Sequence, residues 1–196
     1  MKQEIEIEFK NLVNKSEFKK LLAYFQLTDR DFIMQENHYF DTNDFQLKSA
    51  GAALRIRNKN GKFVLTLKQP HKNGLLETHV EITEPQAQEL MTEKENFPTE
   101  MAVALQQLGV SSADLTYFGT LQTYRAEIEY KSGLLVFDHS FYLDTDDVEI
   151  EYEVQDEKQG LLAFENLLQD FEIPKRNTAN KIKRFYDRKY QLLSEE

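Results

Sequence analysis

Charged and apolar residues alternate one by one through much of this chain, and that spacing leaves few options for its fold. In residues 2–10, Glu4, Glu6, Glu8 and Lys10 take every second position, and Ile5, Ile7 and Phe9 the positions between. The same period returns where Arg55 and Arg57 alternate with Leu54 and Ile56, Thr66 and Lys68 with Leu65 and Leu67, and Glu77, His79 and Glu81 with Val80 and Ile82. Arg125, Glu127 and Glu129 flank Ala126 and Ile128, while Glu149, Glu151 and Glu153 flank Ile150 and Tyr152. Successive side chains of an extended strand point to opposite faces, so a period of two means strands with one charged and one apolar face.

Strands are therefore predicted over 2–10, 35–41, 53–58, 62–69, 75–83, 121–131, 133–142 and 147–155. Short turn sequences, Asn58-Lys59-Asn60-Gly61, His71-Lys72-Asn73-Gly74 and Lys131-Ser132-Gly133, join neighbours as hairpins. Helical spacing appears between them. Phe18, Leu21, Leu22 and Phe25 follow Asn14 and Glu17, a capping-box pair. Pro85 suits a first helical turn. Pro98 opens a stretch with Met101, Leu105 and Leu108 on one face. Leu161, Phe164, Leu168 and Phe171 form another stripe, and Thr178 is expected to cap a last helix with Ile182, Phe185 and Tyr186. The prediction is an α+β chain of one domain over 1–196, its eight antiparallel strands closed into a barrel with helices packed on the outside.

Composition narrows the chemistry. The 196 residues include 24 Lys and Arg, 34 Asp and Glu, and no Cys, for a formal charge of -10. Absence of Cys removes thiol catalysis, disulfides and Cys-based metal sites. An acidic balance without a basic tail argues against nucleic acid as a partner. No apolar run approaches membrane-span length and the charged opening is unlike a signal peptide, so a cytoplasmic protein without membrane attachment is expected. The four His have no HExxH spacing, and neither a Walker-A loop nor a G-x-S-x-G elbow occurs. His71 reads as a turn residue, and only His79 shares a strand face with Glu77 and Glu81. Lys183, Arg184 and Arg188 read as a solvated basic face of the last helix.

The charged strand faces have two readings. One is a half-buried sheet whose charged side is simply solvated. The other is a closed barrel whose apolar face takes the helices, so that the charged face lines the interior. An eight-stranded barrel has room for one small ligand. Neighbouring carboxylates such as Glu6 and Glu8, or Glu149 and Glu151, repel one another and favour a divalent cation with oxygen ligands. Lys10, Arg55, Arg57, Lys68 and Arg125 favour a polyanion. Together they suit a metal–polyphosphate complex.

Glu6-Ile7-Glu8-Phe9-Lys10 resembles the E-x-E-x-K signature of the CYTH family, the triphosphate tunnel metalloenzymes. Tyr39-Phe40-Asp41-Thr42 is similar to its Y-[YF]-D-T segment, Leu54-Arg55-Ile56-Arg57 to its L-R-[IV]-R strand, and Thr66-Leu67-Lys68 to its T-x-K strand. Arg125, Phe137-Asp138, Glu149-Ile150-Glu151 and Asn180-Lys181-Ile182-Lys183-Arg184 continue the match in order, with Asn180 in place of the usual Ser. The nearest resemblance is to the small bacterial members of the YjbK type.

This resemblance implies an eight-stranded tunnel that binds a triphosphate with Mg²⁺ or Mn²⁺. Glu6, Glu8, Glu149 and Glu151 would then be metal ligands. Lys10, Arg55, Arg57, Lys68, Arg125 and Lys181 would bind phosphate, and Glu81 and Asp138 would complete the acidic lining. Catalysis would fall to Glu6, Glu8, Lys10 and Glu151. Because Glu4 and Glu153 extend the two acidic rows, the choice among Glu149, Glu151 and Glu153 stays open. The implied activity is hydrolysis of inorganic triphosphate or of an organic one such as thiamine triphosphate. Class IV adenylate cyclase chemistry and a non-catalytic nucleotide- or polyphosphate-binding module are the alternatives, and monomer and homodimer are both open.

Overall fold

The computed structural model describes residues 1–92 and 96–194. Its strands are β1 (Lys2–Val13), β2 (Ile33–Thr42), β3 (Ala53–Lys59), β4 (Lys62–His71), β5 (Gly74–Ile82), β6 (Leu115–Tyr130), β7 (Gly133–Tyr142) and β8 (Thr145–Val154). Its helices are α1 (Lys15–Tyr24), α2 (Gln46–Ser49), α3 (Glu84–Thr92), α4 (Thr99–Gln107), α5 (Glu157–Asp170) and α6 (Lys181–Ser194). Hydrogen bonding runs β1-β5-β4-β3-β2-β6-β7-β8 and closes back on β1, the antiparallel barrel that the alternation predicted. Among the described residues no helix is long and apolar enough to cross a membrane.

The chain divides into two compact units. The first comprises Met1–Ile5 and Gln35–Leu121. In it β2 to β5 pair in hairpin order, with Arg55 opposite both Tyr39 and Thr66, Arg57 opposite Asn37, and Lys68 opposite Glu77. Directly opposed residues share a face, so these polar side chains form one surface. The other face buries Phe40, Leu54, Ile56, Leu65 and Leu67 against Leu47 of α2, Ala87 and Leu90 of α3, and Met101 and Leu105 of α4. The β3–β4 connection is a two-residue loop, Asn60-Gly61, with φ of 54° and 75°. Positive φ at both positions matches the right-handed twist of the flanking strands, and Asn-Gly tolerates it.

The second unit comprises Glu6–Met34 and Gln122–Glu196. Its register sets Glu8 opposite Glu153, Lys10 opposite Glu151, Arg125 opposite Asp138, and Asp138 opposite Glu149. The apolar face carries Ala126, Leu135, Phe137, Val148, Ile150 and Tyr152, covered by Phe18 and Leu21 of α1 and by Ala163, Phe164, Leu167 and Leu168 of α5. The expected capping box closes α1: Asn14 Oδ1 accepts from the Ser16 and Glu17 amides at 2.9 and 2.8 Å, and Glu17 Oε2 accepts from the Asn14 amide at 2.7 Å.

Four local expectations change. His71 ends β4 opposite Gly74 and is not in the turn. β6 begins at Leu115, before the predicted 121, because residues 115–120 lack the apolar alternation that marks the rest. Leu161 is 37% exposed, since the buried face of α5 runs through Gly160, Ala163, Phe164 and Leu167. Thr178 does not cap α6. Its hydroxyl accepts from the Leu12 amide at 2.8 Å, and Asn180 Oδ1 takes the Lys183 amide at 3.0 Å instead.

Candidate functional site

Each unit gathers charged side chains on its polar sheet face. In the second unit the row Glu149, Glu151 and Glu153 on β8 stands between Glu6, Glu8 and Lys10 of β1 and Asp138 of β7. Arg125 donates from Nε and Nη2 to the two carboxylate oxygens of Asp138, at 2.8 and 2.6 Å, and from Nη2 to Glu151 Oε2 at 2.7 Å. Lys10 Nζ meets Glu8 Oε1 at 2.8 Å. The first turn of α6 adds two further cations. Lys181 Nζ pairs with Asp138 Oδ2 and Glu151 Oε1, both at 2.7 Å, and with Glu149 Oε1. Arg184 pairs with Asp147 at 2.8 Å and with Glu149 Oε2 at 2.7 Å.

Asp138, Glu149 and Glu151 are buried, and they offer carboxylate oxygens that all lie within 4.8 Å of one another. Burial alone would push Asp138 up, but the charges of Arg125 and Lys181 outweigh it and hold the group well below the usual carboxylate range. Glu151 is raised by burial, with repulsion from Asp138 and Glu8 adding to it. Glu153 is pushed up to about 7 by burial and by the charges of Glu6, Glu151 and Glu8. Lys181 is lowered to about 7 by burial, with Arg125 and Arg184 opposing its charge. On this face the carboxylates outnumber the cations.

In the first unit Arg55, Arg57 and Lys68 stand on the polar sheet face with Glu77 and His79. Arg57 Nε donates to Asn37 Oδ1 at 2.9 Å, and Lys68 pairs with Glu77 at 3.2 Å. His79 Nε2 lies 3.2 Å from both Glu77 Oε2 and Glu4 Oε1, and its Nδ1 lies 3.0 Å from Thr66 Oγ1. Burial raises Glu77, yet the His79 hydrogen bond and the charges of Arg55 and Lys68 overcome that and hold it far down. Tyr39 is buried opposite Arg55, and the Asp41 carboxylate accepts from the Leu47 and Lys48 amides of α2. Glu81, on the same face, is exposed opposite Val64.

The expected residues thus fall into two sets. Glu6, Glu8, Lys10, Arg125, Asp138, Glu149, Glu151 and Lys181 belong to the second unit, and Arg55, Arg57, Lys68 and Glu81 to the first. Arg184 corrects the expectation of a solvated basic face. Its side chain is 11% exposed, against 55% for Lys183 and 28% for Arg188. Its spacing of three from Lys181 places both on one helix face, a signal available in the sequence. Asp147, two residues before Glu149, belongs by the same strand parity to that acidic row. Asn37 carries no comparable signal.

A barrel of this strand order, with E-x-E-x-K on its first strand and paired carboxylates on its last, defines a class. The CYTH domain model matches residues 4–186, and the chain belongs to that family. A Bacillus subtilis relative named "Putative triphosphatase YjbK" is 51% identical over 189 residues, covering 96% of this chain and 98% of its own. A Bacillus halodurans structure described as that of "a putative adenylate cyclase" is 45% identical with a TM-score of 0.91, over 95% of this chain and 100% of its own. HpAC1 from Hippeastrum, described as a "putative adenylyl cyclase" with a dominant triphosphatase activity, is 25% identical with a TM-score of 0.77, over 93% of this chain and 96% of its own.

Proposed function

We propose that this chain is a metal-dependent triphosphatase. One observation carries the reading: buried carboxylates on β7 and β8 interleave with Arg125, Lys10 and Lys181, in a chain half identical to a protein named for triphosphatase activity. The donor set suits Mg²⁺ or Mn²⁺, being all oxygen in a chain without Cys. The upward push on Glu151 and Glu153 reflects burial and crowded negative charge, which a divalent ion relieves. Glu149 and Glu151, with Asp138 beside them and Glu6 and Glu8 on β1, are the residues assigned to hold it. A bound divalent ion supplies charge neutralisation of phosphate oxygens.

The chain's own side chains do the rest. In the first unit Arg55 and Arg57 are assigned as planar forks for phosphate oxygens and Lys68 as a point charge; in the second, Lys10 and Lys181 are point charges and Arg125 adds its charge from its place beside Asp138. Such preorganised cations stabilise the oxygens that gain charge as the phosphoryl group transfers. Glu151 is also assigned to orient the attacking water, as a carboxylate of the same buried row. The cytoplasm is the proposed location and a triphosphate-containing small molecule the proposed partner.

The test is phosphate release from tripolyphosphate, thiamine triphosphate and nucleoside triphosphates with Mg²⁺ or Mn²⁺. Release is expected from at least one of them. It should be abolished by EDTA and strongly reduced by Glu6→Gln and Arg57→Ala. No release from any substrate by folded protein sinks the reading. The likeness to the Bacillus halodurans structure favours a second one, cyclase chemistry, in which a ribose oxygen attacks in place of water. Cyclic AMP and pyrophosphate as products from ATP, instead of orthophosphate, would establish it.

A further inference from the structure

The carboxylates of Glu149 and Glu151 each have a cation beside both oxygens. Oε2 of Glu149 faces Arg184 at 2.7 Å, and Oε2 of Glu151 faces Arg125 at 2.7 Å. Their Oε1 atoms both face the ammonium of Lys181, which also meets Asp138 Oδ2 at 2.7 Å. The point where the three carboxylates converge is therefore already filled by a cation from the chain itself.

The three cations are held differently. Arg125 is locked on β6 by two bonds to Asp138. Arg184 is anchored by Asp147 and by the carbonyl of Ala179. Lys181 stands at the first position of α6 on a flexible four-carbon stem, and its ammonium meets only these carboxylates among the described residues. An ammonium and a divalent ion cannot occupy one nest of three carboxylates. Of the three cations, only Lys181 can leave by rotating its stem, without breaking a fork.

We infer that Lys181 is a place-holding cation: its ammonium occupies the Asp138–Glu149–Glu151 nest until a divalent ion takes it, and is then released toward an anionic ligand. The inference rests on the reading that a divalent ion binds these carboxylates. It adds a consequence. Metal binding without substrate works against the departing lysine, and an anion that receives the freed ammonium offsets that cost. Metal and polyphosphate then bind with mutual reinforcement, equal in both directions.

The test measures Mn²⁺ affinity of the full chain by calorimetry or electron paramagnetic resonance, without substrate. Lys181→Met is expected to bind Mn²⁺ roughly tenfold more tightly than wild type, within the usual span of coupling between sites. Lys181→Arg, which keeps a cation in place, should bind no more tightly than wild type. In wild type, Mn²⁺ should increase labelling of Lys181 by an amine-reactive reagent, followed by peptide mass spectrometry. Unchanged or weaker Mn²⁺ affinity in folded Lys181→Met overturns the inference. If that variant does not fold, unchanged labelling of wild type overturns it. Wild type that binds no Mn²⁺ at all removes the metal reading itself, a result distinct from wild type that binds with no change at Lys181.

Discussion

Arg125 on β6 and Asp138 on β7 stand directly opposite each other, and the guanidinium spans both oxygens of the carboxylate at 2.8 and 2.6 Å. Both are buried, and the pair takes in Glu151 and Lys181 as further members. Buried charges of this kind are costly to unpair, because the partner left behind keeps its desolvation cost without its compensation. Arg125→Met should therefore destabilise the protein by about 3–5 kcal/mol, read from urea unfolding midpoints. Arg125→Lys keeps the charge but loses the fork, and should fall between the two. A loss below about 1 kcal/mol for Arg125→Met would place the pair among ordinary surface bridges.

Asp41 lies in the Tyr39-Phe40-Asp41-Thr42 segment, and its carboxylate works on the backbone. It accepts from the amides of Thr42 at 2.8 Å, Leu47 at 2.9 Å and Lys48 at 3.1 Å, and so fixes the turn into α2. Asp41→Ala leaves buried donors without their acceptor, at about 1–3 kcal/mol. The expected result is a lowered melting temperature, with KM for the triphosphate unchanged below the transition. A raised KM with unchanged melting would assign Asp41 to the ligand instead.

How far the sequence reaches is visible in particular residues. Strand parity alone assigned Glu149 and Glu151 to one face and Ile150 to the other, because alternation is local geometry. Asn14 and Glu17 announced their capping box for the same reason. Thr178 misled, because its hydroxyl is recruited by the Leu12 amide, a partner 166 residues away in the chain. Lys181 could be singled out only by resemblance, since nothing local says that three carboxylates from two strands await it. In the sequence Arg184 looked like its neighbours Lys183 and Arg188 until α6 was placed against Asp147. The unread part is tertiary: which partner a side chain meets.

Gly160 sits where α5 crosses β8. A Cβ there would lie 2.4 and 2.9 Å from the two γ-carbons of Val154 and 3.0 Å from Phe9 Cε2. Valine is stiff at χ1, so the helix must shift to make room. Alanine normally gains about 1 kcal/mol over glycine in a helix interior. Here the overpacking cost of about 1–3 kcal/mol should prevail, and Gly160→Ala should unfold at lower denaturant. A stabilised variant would mean that α5 yields freely.

Acid should weaken the tie between α1 and the segment leading to α6. Arg176 bridges both oxygens of Glu17 at 2.8 Å, and this hydrogen bonding holds the Glu17 carboxyl below its ordinary value of 4.5. A depressed folded-state pKa contributes stability that is present above the unfolded value and is lost as pH falls through the folded one. Glu17→Gln should therefore be less stable than wild type at pH 7, and the gap should close as pH falls below 4.5 toward the folded value. Denaturant midpoints across that range check it. A gap that persists in full at the acid end would assign the effect to packing.

Carboxylates that converge should matter more to a divalent ion than carboxylates that merely share the chain's acidity. Asp138, Glu149 and Glu151 bring their oxygens within 4.8 Å of one another, whereas Glu129 is exposed on β6. Glu149→Gln should weaken Mn²⁺ binding by at least about tenfold, and Glu129→Gln should leave it unchanged. Because an ion that binds only the folded state stabilises it by mass action, the same ranking should appear in the melting temperature gained on adding Mn²⁺. Equal losses in both variants would mean that the ion is held by general negative charge, and such binding would also vanish at high salt, which a converging carboxylate site resists.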